Sequence, residues 1–194
     1  MVAQARQAER RRMTGKPHQT ERDFQRAVRV MGIDPGTANL GWAVVEGERV
    51  LAGGRMGSQA AVPLDRRIIG LVGSLVALAR AWEITEVAIE DYQHGDREGV
   101  RHSARGMQRL IGALIVACEL AGFSTALYAP QVWQTSIVGR RRRKHEKSDV
   151  MRALKLRRVR GLEHLTTEHA RDAAAVALHH LSVRRLQQGR QPAA

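Results

Sequence analysis

The order of apolar periodicities along the chain constrains its fold more than any other feature. Three short apolar runs separated by Gly-rich turns predict strands joined by hairpin connections, over residues 28–34, 41–46 and 49–56. Helical and strand patterns then alternate: helices near residues 64–82, 99–121 and 167–186, and strands over 86–92 and 124–130. This order predicts an α/β fold with a mixed five-stranded sheet flanked by helices.

Two of these predicted strands end in a carboxylate, at Asp34 and Glu90. A carboxylate at the end of a buried strand is costly unless it is hydrogen-bonded, paired or bound to a cation. Asp172 lies in the last predicted helix, and His169 and Glu168 precede it by three and four residues, so both share its helix face. If that face covers the strand ends, the ligands converge in a set that suits Mg²⁺ or Mn²⁺ better than Zn²⁺.

Each of these residues also has a structural alternative. Asp34 would serve equally to cap the Pro-Gly-Thr turn, and Glu90 to pair with an arginine. His169 and Asp172 also fit a helix N-terminal acid beside a surface histidine. Asp91, which follows Glu90, is expected on the opposite face of the strand.

The charge of the chain is strongly positive and unevenly placed. The 194 residues carry a formal net charge of +13 and a pI near 11.4, which indicates a polyanionic partner, nucleic acid before membrane. Residues 1–29 contribute +5 and residues 139–160 contribute +9, so the remainder is about neutral. The second stretch is expected to neutralise DNA phosphates, with a solvated linker as the alternative; its densest part is Arg140, Arg141, Arg142, Arg143 and Lys144.

Cysteine content and hydropathy argue against a disulfide-linked protein and against a membrane-spanning one. The single cysteine, Cys118, cannot form an intrachain disulfide, which fits a reducing compartment. The longest nearly apolar run, residues 68–79, is too short to span a bilayer. We therefore expect a soluble protein with no membrane partner.

Five motifs, in this order, resemble the successive motifs of the RuvC-type Holliday-junction resolvases, which have a ribonuclease H-like fold. The first motif alone is also similar to the phosphate-binding hairpin of sugar-kinase and actin-like ATPases, whose second domain this chain has no room for. The five are "GIDPGTANLGWAVV" (32–45), "VAIEDY" (87–92), "YAPQVWQTSIVG" (128–139), "KSDVMRAL" (147–154) and "HARDAAAVALHH" (169–180).

The resemblance implies a structure-selective endonuclease that resolves four-way (Holliday) junctions by paired, metal-dependent nicking of opposed strands. The products would carry 5′-phosphate and 3′-hydroxyl ends. The implied metal ligands are Asp34, Glu90 and Asp172, with His169 as the fourth, where family members have either Asp or His. Two Mg²⁺ ions would bind per active site, and Mn²⁺ would substitute for them.

The resemblance also assigns DNA contacts and a dimer. Lys147 corresponds to a lysine that contacts the scissile phosphate or orients the attacking water; the alternative is one more cation in a basic run. Tyr92 lies one position before the family's wedge aromatic and would equally suit a strand side chain facing the core. A homodimer would form through the helix over residues 99–121, where Gly106 and Gly112 permit close approach; the alternative is that this helix packs only on its own sheet.

These implications complete the expected organisation of the chain. A basic extension over residues 1–27 precedes a ribonuclease H-like nuclease domain over 28–186 and a tail over 187–194. The expected partners are four-way junction DNA and a second copy of the chain, with branch-migration motor proteins as further candidates. The expected location is cytoplasmic and nucleoid-associated in a bacterium or phage-infected cell, and a location in an organelle is the alternative.

The competing functions are another ribonuclease H-like nuclease, acting on RNA strands or within a mobile element, and a non-catalytic junction-binding protein.

Overall fold

The computed structural model describes residues 28–92, 101–140 and 146–189. The predicted basic extension and the last five residues lie outside these ranges. Within them the strands are β1 (Arg29–Asp34), β2 (Asn39–Glu46), β3 (Arg49–Gly57), β4 (Glu86–Glu90) and β5 (Ser124–Tyr128). The α-helices are α1 (Leu64–Ala81), α2 (Arg101–Leu120), α3 (Pro130–Ile137), α4 (Lys147–Leu156) and α5 (Glu168–Gln188), and a 3₁₀ turn spans Leu162–His164.

The five strands form one mixed sheet in the order β3-β2-β1-β4-β5. The first three strands pair antiparallel, whereas β4 runs parallel to both β1 and β5. This confirms the predicted mixed five-stranded sheet flanked by helices. The predicted extension of β4 to Tyr92 is wrong: β4 ends at Glu90 because its neighbours β1 and β5 end beside it, at Asp34 and Tyr128.

A row of small residues crosses the whole sheet and allows α5 to approach it closely. Partners in register across the five strands are Gly53, Ala43, Gly32, Ala88 and Ala126. A Cβ atom added at Gly32 would overlap the carbonyl oxygen of Ala173 in α5. The Ala-rich sequence of α5 supplies the matching smooth face, because its residues 173–177 are fully buried. The helix backbone therefore lies directly on β1 and β2.

The sheet separates two apolar cores. Alternate residues of β1 point to opposite faces, so Met31 and Ile33 pack against α1 and α2, while Val30 packs beneath α5, α3 and α4. Both cores contain side chains at 0% exposure, and only the core beneath α5 includes residues of that helix and so holds it on the sheet.

Helix α4 lies inside the basic stretch, where the sequence patterns indicated no helix. Its charges mask a short apolar stripe of Val150, Ala153 and Leu154, which is buried against the core beneath α5. The helix starts with reciprocal caps, because the Glu146 side chain accepts the backbone N–H of Asp149 and the Asp149 carboxylate accepts that of Glu146. Glu146 and Asp149 depart from the usual Ser/Thr-x-x-Glu/Gln capping pattern, so the sequence carries no standard signal for the start of this helix.

No helix in the described ranges combines the length and apolar character needed to cross a bilayer.

Candidate active site

Two carboxylates stand side by side at the carboxyl edge of the sheet. Asp34 is the last residue of β1 and Glu90 the last residue of β4, and the parallel register that pairs Ile33 with Ile89 brings the two strand ends together. Parallel neighbours end at the same sheet edge, which is where α/β folds place their sites. The predicted pairing of Glu90 with an arginine has no counterpart among the ion pairs of the described residues.

The N-terminal turns of α5 bring two more candidate ligands to this edge. Thr167 caps the helix, its Oγ1 accepting the backbone N–H of Ala170 at 3.2 Å. His169 follows in the first turn, and its Nδ1 forms a 2.6 Å hydrogen bond with Asp34 Oδ2. Asp172 lies one turn further along, and its charge interacts with those of Asp34 and His169. The sequence expectation that one face of this helix covers the strand ends is thus met in the structure.

Burial disfavours the charged forms of all three acids, and repulsion from neighbouring acids adds to this effect at Glu90 and Asp172. Burial first, and then the charges of Asp34 and Asp172, raise the pKa of Glu90 to about 8. The pKa of Asp172 rises to about 7 for the same two reasons, burial and the charge of Asp34, against an opposing effect of His169. Burial also raises the pKa of Asp34, with the hydrogen bond from His169 acting against it. Such a cluster calls for a positive charge from outside the chain.

The donor set fits a hard divalent cation, although the described side chains are not placed as a ready cage. In the ranges that the structure describes, no three His, Cys, Asp or Glu side chains are arranged to hold one metal ion. One reason is visible in the contacts, since the His169–Asp34 hydrogen bond turns two candidate donor atoms toward each other. Three carboxylates and an imidazole suit Mg²⁺ or Mn²⁺, and a divalent cation would relieve the repulsion between the acids.

The acids open onto a cavity of about 680 Å³. Asp34 and Glu90 form part of its wall, and Tyr92, one of the predicted DNA contacts, forms another part. Asp91 also borders the cavity, and the sheet face expected for its side chain stays a prediction. Although β4 ends at Glu90, the Asp91 N–H still donates to the Tyr128 carbonyl at 2.9 Å, so Asp91 stays beside the end of β5.

The other residues predicted to contact DNA fall only partly within the described ranges. Arg140 is exposed just beyond α3, whereas Arg141, Arg142, Arg143 and Lys144 lie outside the described residues. Lys147 is the first residue of α4, so the reciprocal caps define where its backbone lies, but its side chain is outside the described part. Their roles stay predictions.

Comparison with known proteins decides the family. The family model described as crossover junction endodeoxyribonuclease RuvC matches residues 30–180. The chain belongs to the RuvC family. A crossover junction endodeoxyribonuclease RuvC of Afipia carboxidovorans is 30% identical over 161 residues, which cover 81% of this chain and 90% of the relative.

Solved RuvC structures share the fold of this chain. Thermus thermophilus RuvC superposes with a TM-score of 0.69 at 25% identity, covering 82% of this chain and 97% of that one. The same protein in complex with a Holliday junction substrate gives a TM-score of 0.68 at 24% identity, covering 82% and 96%. The ribonuclease H-like fold implied by the five motifs is therefore confirmed.

Two features of this RuvC family member were not found by sequence reasoning. The first is Trp133 of α3, a fully buried side chain whose N–H acts on Glu90 and lowers its pKa in part. Its Nε1 makes no hydrogen bond of ordinary geometry with any described residue. A buried donor left without a partner costs about 1–3 kcal/mol. Only the quoted motif "YAPQVWQTSIVG" marked its neighbourhood, and no periodicity connects it with β4.

The second feature is a clamp on the turn that follows Asp34. Arg67 of α1 donates from its NH2 group to the Thr37 carbonyl at 2.6 Å and from Nε to Ser58 Oγ at 2.8 Å. The Ser58 hydroxyl donates to the same Thr37 carbonyl at 2.6 Å. Arg67 thereby ties β3 and α1 to the β1–β2 turn, and this limits movement of the chain next to Asp34.

The raised pKa values predict a stability profile that depends on pH and metal. Glu90 and Asp172 have ordinary values of 4.5 and 3.8, so folding favours their neutral forms. This contribution is complete below those values and is lost as pH rises through about 7 and 8. Without metal, Tm should fall across this range, and Mg²⁺ or Mn²⁺ should raise Tm more at alkaline than at acidic pH.

Thermal unfolding in chelator and in excess Mg²⁺, measured across pH, checks this profile. Glu90→Gln should flatten the metal-free curve and reduce the stabilisation by metal, whereas Glu83→Gln, at the opposite end of the sheet, should leave both unchanged. A metal effect on Tm that is the same at every pH would contradict the account.

Proposed function

We propose that this chain is a structure-selective DNA endonuclease that resolves four-way junctions by paired, metal-dependent nicking of opposed strands, leaving 5′-phosphate and 3′-hydroxyl ends. The observation that carries the proposal is the convergence of acids from β1, β4 and α5 at one edge of the sheet, close enough for their charges to interact, in a chain with a net charge of +13. Membership of the RuvC family, whose relatives are named crossover junction endodeoxyribonucleases, supports the choice of substrate.

Asp34, Glu90, Asp172 and His169 are the residues that would hold the metal, as two Mg²⁺ ions or two Mn²⁺ ions per site. When bound, such ions activate water and stabilise the leaving oxygen of a phosphodiester. The residues themselves contribute a rigid frame, because β1 and β4 are central strands and α5 packs on them by backbone contact. A rigid frame would hold the scissile phosphate in one geometry, and such positioning lowers the entropic part of the barrier.

His169 is our choice for the fourth ligand over Glu168. The imidazole touches Asp34 directly at 2.6 Å, so a small side-chain rotation would turn both groups toward one ion. Glu168 acts on Asp172 through its charge and begins the helix. Lys147 would contact the scissile phosphate or orient the attacking water from the start of α4.

The basic stretch would supply affinity for the junction arms, with Tyr92 as a further DNA contact beside the acids. Arginine contacts to phosphates release counterions, so the affinity they provide falls steeply as the salt concentration rises. Such contacts do not distinguish one DNA sequence from another. Replacing Arg140, Arg141, Arg142 and Arg143 with Ala should lower junction affinity and reduce the slope of log affinity against log salt by about 0.9 for each phosphate that is no longer neutralised.

Fluorescence anisotropy of a labelled junction over a salt series measures that slope. Arg80→Ala provides the matched control, because Arg80 is an exposed arginine in the last turn of α1, beside the start of β4 and away from the acids. An unchanged slope in the four-arginine variant would show that this stretch does not touch DNA.

A homodimer would place two active sites on a two-fold symmetric junction, as paired nicking requires. In α2, Gly106 packs within its own chain near Leu64 and Thr37, so its small size serves the fold. Gly112 faces open space, and Val116 and Leu120 follow it on the same helix face with 59% and 84% exposure. This exposed apolar face is our candidate for the dimer contact, with motor proteins binding elsewhere.

Cleavage of a substrate panel tests the function. A four-way junction, a linear duplex of the same sequence and an RNA/DNA hybrid are each incubated with the protein in Mg²⁺ and in chelator. The proposal expects cleavage of the junction alone, with metal. Cleavage of the hybrid would favour another ribonuclease H-like nuclease, and binding without cleavage would favour a non-catalytic junction-binding protein. A cytoplasmic, nucleoid-associated location is part of the proposal, because four-way junctions in chromosomal DNA would lie there.

A further inference from the structure

The buried side chain of Trp133 lies between the active-site cavity and the core beneath α5. Helix α3 begins at Pro130, two residues after β5 ends, and its first residues Pro130 and Gln131 line the cavity together with Glu90. One turn further along the helix, Trp133 is only 1% exposed and packs within the core that holds α5 on the sheet. Its indole ring therefore has little freedom to move.

Only one atom of this ring is polar, and the fold does not satisfy it. Nε1 is buried and has no hydrogen-bond partner of ordinary geometry among the described residues. A phenyl ring would fill most of the same space without burying a donor, so packing alone does not account for the N–H. The carboxyl whose pKa this N–H lowers is that of Glu90 at the end of β4, without a hydrogen bond of ordinary geometry between them.

We propose that Trp133 is a positioning residue for Glu90, whose indole N–H holds one carboxylate oxygen and so leaves the other directed at the metal site between Asp34 and Asp172. The inference rests on the proposed function, because it takes Glu90 as a metal ligand. A carboxylate has two equivalent oxygens and rotates freely, whereas the indole offers a single donor on an immobile ring. When the N–H closes its hydrogen bond to one oxygen as metal binds, it selects the orientation of the other.

Trp133→Phe removes the N–H and keeps an aromatic ring in the core. Partners of metal ligands typically change metal affinity by about 10–100-fold, so Mn²⁺ binding measured by calorimetry should weaken by about tenfold or more. The Mg²⁺ concentration that gives half-maximal junction nicking should rise in parallel, and excess Mg²⁺ should restore most of the rate. Junction affinity measured in Ca²⁺ or chelator should stay unchanged.

Trp82→Phe is the matched control, since Trp82 lies at the end of α1 and packs in the other core. It should leave metal affinity unchanged. A second variant separates the N–H from ring shape: benzothienylalanine at position 133 keeps the bicyclic outline and replaces the N–H with sulfur. It should reproduce the loss in metal affinity seen with Trp133→Phe while retaining the wild-type Tm.

A double-mutant comparison identifies the residue through which Trp133 acts. In a Glu90→Gln background, where metal affinity is already reduced, Trp133→Phe should produce no further loss. An equal loss in both backgrounds would overturn the inference, as would wild-type metal affinity in the benzothienylalanine protein. If the wild-type chain binds metal and nicks junctions, either result overturns the positioning role alone. If it does neither, the proposed function fails first and the inference falls with it.

Discussion

Asp34→Asn should reduce junction cleavage in Mg²⁺ by about 10³-fold or more and leave junction binding nearly unchanged. The substitution keeps the shape of the side chain and removes the charge that would hold metal beside Glu90 and Asp172. Loss of metal-based stabilisation of the transition state amounts to several kcal/mol, and each 1.36 kcal/mol is tenfold in rate. Binding depends on the basic surface and survives the change.

Glu90→Gln and Asp172→Asn should have the same effect, because all three acids share one electrostatic environment. Single-turnover cleavage and anisotropy binding on the same junction measure rate and affinity separately. Asp65→Asn is the control, since Asp65 is an exposed acid on α1 paired with Arg109. Full cleavage by any one of the three variants would remove that residue from the site.

Gly32→Ala should have two effects at once: it should lower Tm by about 6–12 °C, and it should abolish cleavage. The added methyl group would overlap the Ala173 carbonyl, so α5 must move away from β1 and carry His169 and Asp172 with it. Forcing a methyl group against backbone costs about 3 kcal/mol or more, and each kcal/mol is about 2–4 °C for a chain of this size. A single added methyl group in β1 would thus displace two candidate metal ligands and stop cleavage.

Thermal unfolding and single-turnover cleavage of the same preparation measure both effects. Gly73→Ala is the matched control, because Gly73 lies in helix α1 with nothing within 4 Å of an added Cβ. Removing a helix-interior glycine should raise stability slightly, by about 0.5–1 kcal/mol. If Gly32→Ala unfolds at the wild-type temperature, α5 does not lie in backbone contact with the sheet.

The sequence predicts the strands of the sheet and the candidate ligands because both can be identified from patterns within single strands and helices. The apolar runs that end at Asp34 and Glu90, and the three-residue spacing between His169 and Asp172, are properties of single elements. Their convergence follows from the rule that parallel strands end at one edge. The fold class is therefore accessible before any contact is known.

Features that depend on two distant elements are the ones that sequence reasoning missed. The influence of Trp133 on Glu90 joins α3 to β4, and the Arg67 clamp joins α1 to the turn after Asp34. Neither contact produces a repeating pattern in the amino-acid sequence.

The central claim is that one site, duplicated by two-fold symmetry, cuts both opposed strands of a junction with metal. A supercoiled plasmid that extrudes a cruciform tests it most directly, because a single nick relaxes the plasmid and removes the junction, whereas paired nicks give a linear product. We predict linear plasmid in Mg²⁺, with ligatable 5′-phosphate ends, and no product in chelator or with Asp34→Asn. Nicked circles alone, or equal cutting of a plasmid without the cruciform, would contradict the account.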